Sequence, residues 1–219
     1  VSRTLRQLKA VAFDMDGLLL NTEDLYEVII RAILQDRGKV FRPEVRMRMM
    51  GQPAPQAWGV LIEAEQLVDR WETLQQEAEE RFRVVLPRDV ALMPGVAELL
   101  ERLDRRGIRR CVATSSRRSF ATEALSLAGI IDHFEFLICG DEVARGKPAP
   151  DIYLQAAKSF QLFPEELLVL EDSSHGTVAA RAAGCFVVAV PGDHSRHQDF
   201  AQAHLRVDRV DAEAVWSVL

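Results

Sequence analysis

Five short apolar runs, each ending on polar or turn-forming residues, constrain how this chain folds more than any other feature. Val11-Ala12-Phe13 leads into Asp14, Cys111-Val112-Ala113 into Thr114, and Phe136-Leu137-Ile138-Cys139 into Gly140-Asp141. Leu167-Leu168-Val169-Leu170 leads into Glu171-Asp172, and Phe186-Val187-Val188-Ala189-Val190 into Pro191-Gly192. Runs of this length and flanking suit strands buried on both faces. Helical patterns lie between them. Val96 to Arg106 begins after Pro94-Gly95 and stops at Gly107, and Ser119 to Ala128 stops at Gly129. Pro150 to Phe160 follows a Pro-rich turn, and the Ala-rich stretch Thr177 to Ala183 ends at Gly184. The alternation predicts an α/β fold, a Rossmann-like parallel sheet with helices on both faces.

One region breaks the alternation. Between Asn21 and about Asp89 the pattern is helical throughout, with helices expected from Leu25 to Gln35, from Pro43 to Met50, and from about Ala64 to Val84. The last carries Leu67, Trp71, Leu74, Ala78 and Phe82 on one stripe. The sheet pattern resumes after Met93-Pro94-Gly95. The expected organisation is a sheet domain from residues 1–20 and 91–219, with an all-helical insert over 21–90. A chain of 219 residues has room for both.

Strand ends are where an open parallel sheet binds ligands. Here they deliver Asp14 and Asp16, Thr114-Ser115-Ser116, Gly140-Asp141 with Lys147 just beyond, and Glu171-Asp172. Carboxylates gathered at one edge need a cation, and oxygen ligands favour Mg²⁺. A lysine and small hydroxyls beside such a cation make a phosphate site. Phosphoryl transfer is the chemistry that uses this whole set. An aspartate is a competent nucleophile through an acyl phosphate, and Asp14 is the residue at the strand end. Asp16, two residues on, is placed to protonate a leaving oxygen and later to deprotonate water, with Gly17 freeing the turn. Each piece alone has a plainer reading. Asp-x-Asp-Gly is common in turns. Thr114-Ser115-Ser116 caps a following helix, Lys147-Pro148 is a loop, and Glu171-Asp172-Ser173 caps the Ala-rich helix. The ordered set carries the case.

Composition excludes some partners. The formal net charge is −6, which disfavours non-specific nucleic-acid binding, and the basic pairs Arg105-Arg106 and Arg117-Arg118 are local. Cys111, Cys139 and Cys185 have no metal-ligand spacing and read as buried free thiols, which fits a reducing compartment. No run approaches membrane-spanning length, and Arg3, Arg6 and Lys9 are not followed by a long apolar segment, so a cytoplasmic protein without a signal peptide is expected. Oligomeric state is not legible.

The ordered set resembles the four motifs of the haloacid-dehalogenase-like hydrolase superfamily. Phe13-Asp14-Met15-Asp16-Gly17-Leu18-Leu19-Leu20-Asn21-Thr22-Glu23 is similar to the first motif and Ala113-Thr114-Ser115-Ser116 to the second. Gly146-Lys147-Pro148-Ala149-Pro150 is similar to the third, and Glu171-Asp172-Ser173-Ser174-His175-Gly176 with Ala179-Ala180-Arg181-Ala182-Ala183-Gly184 to the fourth. The resemblance runs from about Ala10 to Val190. It implies a helical cap inserted after the first motif, Asp14 as nucleophile and Asp16 as general acid/base. It implies Mg²⁺ held by Asp14, the Asp16 backbone carbonyl and Asp172, with Glu171 as a further partner. Thr114, Lys147 and the Ser115 backbone would grip the phosphate.

The helical insert points to the subfamily of phosphoglycolate phosphatase, β-phosphoglucomutase, sugar-phosphate phosphatases and pseudouridine-5'-phosphatase. The mutase pattern has a histidine where this chain has Tyr26, and an arginine near Ala54. The expected activity is therefore hydrolysis of a small phosphorylated metabolite, with a sugar-phosphate mutase as the alternative. A phospho-acceptor signalling module, which also combines Asp, Ser/Thr, Lys and Mg²⁺, is a third reading, but such modules are shorter and carry no cap. Specificity is expected from Tyr26, Gln52, Ser116 and Arg117, while His175 reads as loop filling. Asn21 stands where many members have Asp.

Overall fold

The structure is a computed structural model that describes residues 7–50 and 54–219. Arg3, Arg6 and Gln52, named above, lie outside the described residues. The chain divides into two compact units: one runs to Asn21 and resumes at Ala91, and the other is Thr22–Val90.

The first unit begins with strand β1 (Ala10–Phe13). The chain then enters the second unit, which holds helices α1 (Thr22–Gln35), α2 (Pro43–Met49), α3 (Ala54–Glu65) and α4 (Trp71–Asp89). Back in the first unit come α5 (Val96–Arg105), β2 (Arg109–Ala113), α6 (Arg118–Leu127), β3 (Phe136–Ile138), α7 (Asp151–Phe160) and β4 (Leu167–Glu171). They are followed by α8 (Ser174–Ala183), β5 (Phe186–Ala189), the two-residue β6 (Leu205–Arg206) and α9 (Glu213–Trp216).

The strands form one parallel sheet in the order β3-β2-β1-β4-β5-β6. The expected α/β, Rossmann-like core is present. Chain order reverses direction at β1, which pairs with β2 on one side and β4 on the other. That is the topological switch point, where open sheets of this kind place their ligands. The lack of apolar–polar alternation in the runs has a direct cause. Ala10, Ala12, Cys111, Ala113, Leu167, Val169 and Val187 face a core shared with Ile152, Tyr153, Ala156, Ala157 and Phe160 of α7 and Ala179, Ala180 and Ala183 of α8. Their neighbours in sequence, Val11, Phe13, Val112, Leu168, Leu170 and Val188, are fully buried as well. Successive strand residues point to opposite faces, so both faces are covered.

The strand and helix runs of this unit agree with expectation to within a few residues at each end. The strand β6 had no signal, since two residues carry no readable period. Cys111, Cys139 and Cys185 are buried and unpaired. Among the described residues no helix is long and apolar enough to cross a membrane.

In the helical unit the long helix expected from Ala64 to Val84 begins only at Trp71, as α4, and the separate helix α3 over Ala54–Glu65 was not expected. α3 ends at Glu65, Gln66 takes a left-handed conformation at φ 52°, and the Leu67 N–H bonds back to the Ile62 carbonyl at 3.0 Å. That closure is usually marked by glycine, and here it is not. The linker is held by Asp69, which accepts from the Arg37 guanidinium at 2.8 Å; the same guanidinium also binds Glu77 at 2.7 Å. The stripe is real but belongs to α4, whose buried residues are Leu74, Ala78, Phe82 and Leu86. Leu67 and Trp71 are only half-buried.

Candidate active site

The site is assembled where β1, β2 and β4 end. Asp14 follows β1 directly, and its backbone N–H donates to the Leu170 carbonyl of β4 at 3.0 Å. The chain then turns sharply. Gly17 sits at φ 79°, a conformation that costs glycine little, and the Leu19 and Leu20 N–H groups both return to the Met15 carbonyl at 3.0 and 3.1 Å. This turn brings Asp16 back over the sheet edge. Its Oδ2 accepts from the Thr114 hydroxyl at 2.9 Å and the Ser116 hydroxyl at 2.8 Å.

Thr114 is fully buried after β2, with its own N–H on the Ile138 carbonyl at 3.0 Å. The helix-capping alternative for Thr114-Ser115-Ser116 does not hold. Thr114 Oγ1 accepts from the Ser116 N–H at 3.0 Å, within its own turn, and α6 has Arg117 at its N-cap position. The acceptor for the first helical N–H, that of Arg118, is the Asp141 carboxylate at 3.1 Å. Asp141 is thus turned to the helix. Ser115 and Arg117 are exposed, and Ser116 is half-buried.

Lys147 reaches in from the loop before α7. Its Nζ donates to Asp14 Oδ1 at 2.5 Å, to Glu171 Oε1 at 2.6 Å and to the Ala113 carbonyl at 3.0 Å. Burial pushes the Lys147 ammonium down, but Asp14 and Glu171 outweigh that effect and hold it protonated above its usual range. Glu171 is fully buried at the end of β4, and burial alone would raise its carboxyl. Lys147, the Tyr153 hydroxyl and the Ser173 N–H together pull it below the ordinary value. Asp14 goes the other way. Burial drives its carboxyl up, Lys147 opposes, Glu171 and Asp16 add repulsion, and the result is raised to about 8. One ammonium between two buried carboxylates does not compensate both.

Asp172 is buried beside this pair. Carboxylate oxygens of Asp14, Glu171 and Asp172 lie within 4.8 Å of one another. Ser173 caps α8 in the capping role foreseen for the Glu171-Asp172-Ser173 segment: its hydroxyl accepts the Gly176 N–H at 3.1 Å and donates to Glu171 Oε2 at 2.8 Å. Gly176 packs so tightly that a Cβ there would fall inside the Glu171 carboxylate.

Two contributors were absent from the sequence reading. Tyr153 donates to Glu171 Oε1 at 2.7 Å from within α7. Gln198, far along the chain, accepts the Ser174 N–H at 2.7 Å and so steadies the turn that carries Asp172. Tyr153 had a signal, since a tyrosine on an otherwise small, apolar helix face needs a partner for its hydroxyl. Gln198 had none. Tyr26 belongs to the helical unit, with its ring 4.3 Å from that of Phe82. His175 is exposed in the first turn of α8.

Residues 11–190 match the family model of haloacid dehalogenase-like hydrolases. The chain belongs to that family. The matched span includes Asp14, Asp16, Thr114, Lys147, Glu171 and Asp172. A phosphorylated carbohydrates phosphatase of Thermotoga maritima is 34% identical over 177 residues, 81% of this chain and 82% of that protein. A probable pseudouridine-5'-phosphatase of Drosophila melanogaster is 36% identical over 196 residues, 87% and 84% of the two chains. The crystal structure of CbbY from Rhodobacter sphaeroides in complex with phosphate superposes with a TM-score of 0.80 at 29% identity, covering 94% of this chain and 96% of that one. As a haloacid dehalogenase-like hydrolase with phosphatases among its relatives, the chain is an enzyme of the phosphoric monoester hydrolase class.

Proposed function

We propose that this protein is a Mg²⁺-dependent phosphatase of small phosphorylated metabolites that works through an aspartyl phosphate on Asp14. The observation that carries the reading is the contact of Lys147 Nζ with both Asp14 and Glu171, at the sheet's switch point. Lys147 holds Asp14 in place and offers a positive charge to phosphate oxygens arriving there. Thr114 and the Ser115 backbone complete the phosphate grip. Asp14 attacks phosphorus, the P–O bond to the leaving alcohol breaks, and Asp16 gives that oxygen its proton. Asp16 then takes a proton from water, which attacks the acyl phosphate and returns Asp14 as a carboxylate with release of orthophosphate.

The donor set fits a hard divalent cation. It is all oxygen, it is buried, and burial, with repulsion from Glu171 and Asp16, raises Asp14 to about 8 despite Lys147. Asp14, Asp172 and the Asp16 backbone carbonyl would hold Mg²⁺, and the bound ion would supply charge neutralisation for the phosphoryl group. Glu171 stands apart in this reading, because Lys147, Tyr153 and Ser173 already engage both its oxygens.

The relatives' names point to sugar phosphates and nucleoside monophosphates as substrates, and the helical unit, including Tyr26, is read as a cap that supplies selectivity for the leaving group. Three buried, unpaired thiols fit a reducing cytoplasmic setting.

The test is a panel of phosphorylated metabolites with Mg²⁺, reading released orthophosphate. A hexose 1-phosphate belongs in the panel, since conversion to the 6-phosphate without phosphate release marks a mutase. Asp14→Asn is expected to lower turnover by more than about a thousandfold. A variant retaining a tenth or more of wild-type turnover overturns the assignment.

A further inference from the structure

Glu171 has no exposed surface, and its hydrogen bonds come from Ser173, Lys147 and Tyr153. Oε2 takes the Ser173 N–H at 3.0 Å and the Ser173 hydroxyl at 2.8 Å. Oε1 is shared by Lys147 at 2.6 Å and the Tyr153 hydroxyl at 2.7 Å. Tyr153 is fully buried in the first turn of α7, and its ring centre lies 5.2 Å from Lys147 Nζ. The other buried residues of α7 are Ile152, Ala156, Ala157 and Phe160, so Tyr153 alone brings a polar side-chain atom to that face. Phenylalanine would fill the same volume. The hydroxyl serves one acceptor, a carboxylate oxygen that Lys147 also uses.

A lysine ammonium on a flexible four-carbon stem has no intrinsic place to stop. Its position is set by its acceptors, and here two of the three are carboxylates able to rotate. Asp14 must leave its contact with Lys147 partly or wholly when it attacks phosphorus, so Glu171 is the carboxylate anchor that persists, beside the Ala113 carbonyl. An anchor is only as fixed as its own donors. Ser173 fixes one oxygen, and Tyr153 fixes the one that faces Lys147.

We infer that Tyr153 is a positioning residue for phosphate binding: its hydroxyl holds Glu171 Oε1 toward Lys147 and thereby sets where Lys147 meets the phosphoryl group. The inference rests on the proposed phosphatase chemistry for the role of Lys147.

Tyr153→Phe tests it, with orthophosphate as the probe and Mg²⁺ present. The orthophosphate dissociation constant, measured by titration calorimetry, is expected to rise about tenfold, the lower end of what loss of an outer hydrogen-bonding partner costs at such sites. Turnover of p-nitrophenyl phosphate falls with it, while the melting temperature stays within a few degrees. A packing role moves the melting temperature and leaves orthophosphate binding alone. In the background of Glu171→Gln the Tyr153→Phe change should have under a twofold effect, because it acts through Glu171. Orthophosphate binding within threefold of wild type overturns the inference, as does full additivity in the double variant or failure of Tyr153→Phe to fold. Asp14→Asn separates the two levels. If it keeps turnover, the phosphatase chemistry is wrong; if it is inactive while Tyr153→Phe behaves as wild type, only the role given to Tyr153 falls.

Discussion

At the scale of single residues, Asp16 separates binding from proton transfer. Its Oδ2 is held by the Thr114 and Ser116 hydroxyls, 2.9 and 2.8 Å away, so it is oriented before any substrate arrives. A general acid matters in proportion to how badly the leaving group needs a proton. Asp16→Asn should therefore cost about a hundredfold or more in kcat on an alkyl phosphate and much less on p-nitrophenyl phosphate, whose leaving group departs as a stable anion. Parallel kinetics on the two substrates measure this, and equal losses on both would show that Asp16 is not the proton donor. The meeting of Asp14, Lys147, Glu171 and Asp172 was legible before the structure because each ends or follows a strand, and the sheet brings strand ends together. Tyr153 was less legible because it sits on a helix face outside the motifs, where apolar periodicity reads a tyrosine as core. The capping alternative for Thr114-Ser115-Ser116 failed for a tertiary reason: Asp141, from the next strand's end, takes the Arg118 N–H.

Among the elements, α8 is the one on which helix formation and site geometry depend together. Its N-cap hydroxyl accepts the Gly176 N–H and donates to Glu171, and Gly176 exists because no side chain fits against that carboxylate. Ser173→Ala removes the cap and one donor to a buried carboxylate. A loss of about 1–2 kcal/mol in unfolding free energy is expected by urea titration, with an m-value like that of wild type. A loss below about 0.3 kcal/mol would mean that water replaces the hydroxyl without cost. The stop of α8 was readable, since Gly184 is a conventional signal, whereas the Ala-rich pattern begins at Thr177, three residues inside the helix that Ser173 caps. The α3–α4 break was not. Gln66 adopts a left-handed conformation without being glycine, and Arg37, some thirty residues upstream, holds Asp69 in the linker. Local pattern carries no record of such a pairing, so the apolar pattern runs α4 back across the break to Ala64.

For the molecule as a whole, the raised carboxyl of Asp14 links cation binding, pH and stability. Without a cation, the folded chain keeps a proton on Asp14 up to about pH 8, whereas an unfolded chain releases it near the ordinary carboxylate value of about 4. The folded state then binds more protons than the unfolded state, so this group's contribution to stability is present at low pH and is lost as pH rises through that window. Mg²⁺ binding requires the proton to leave and becomes tighter as pH rises, by at most about tenfold, or about 1.4 kcal/mol, per pH unit until Asp14 is ionised. The gap between melting temperatures with Mg²⁺ and with a chelator should widen from pH 6 to pH 8 and level off above. Groups far from the cation, such as His204, whose imidazole is pushed down by burial, affect both samples alike and cancel in the difference. Asp14→Asn carries no proton to displace, so its gap should be small and flat with pH. A wild-type gap independent of pH, or a gap in Asp14→Asn that still widens, would place the cation somewhere other than on Asp14.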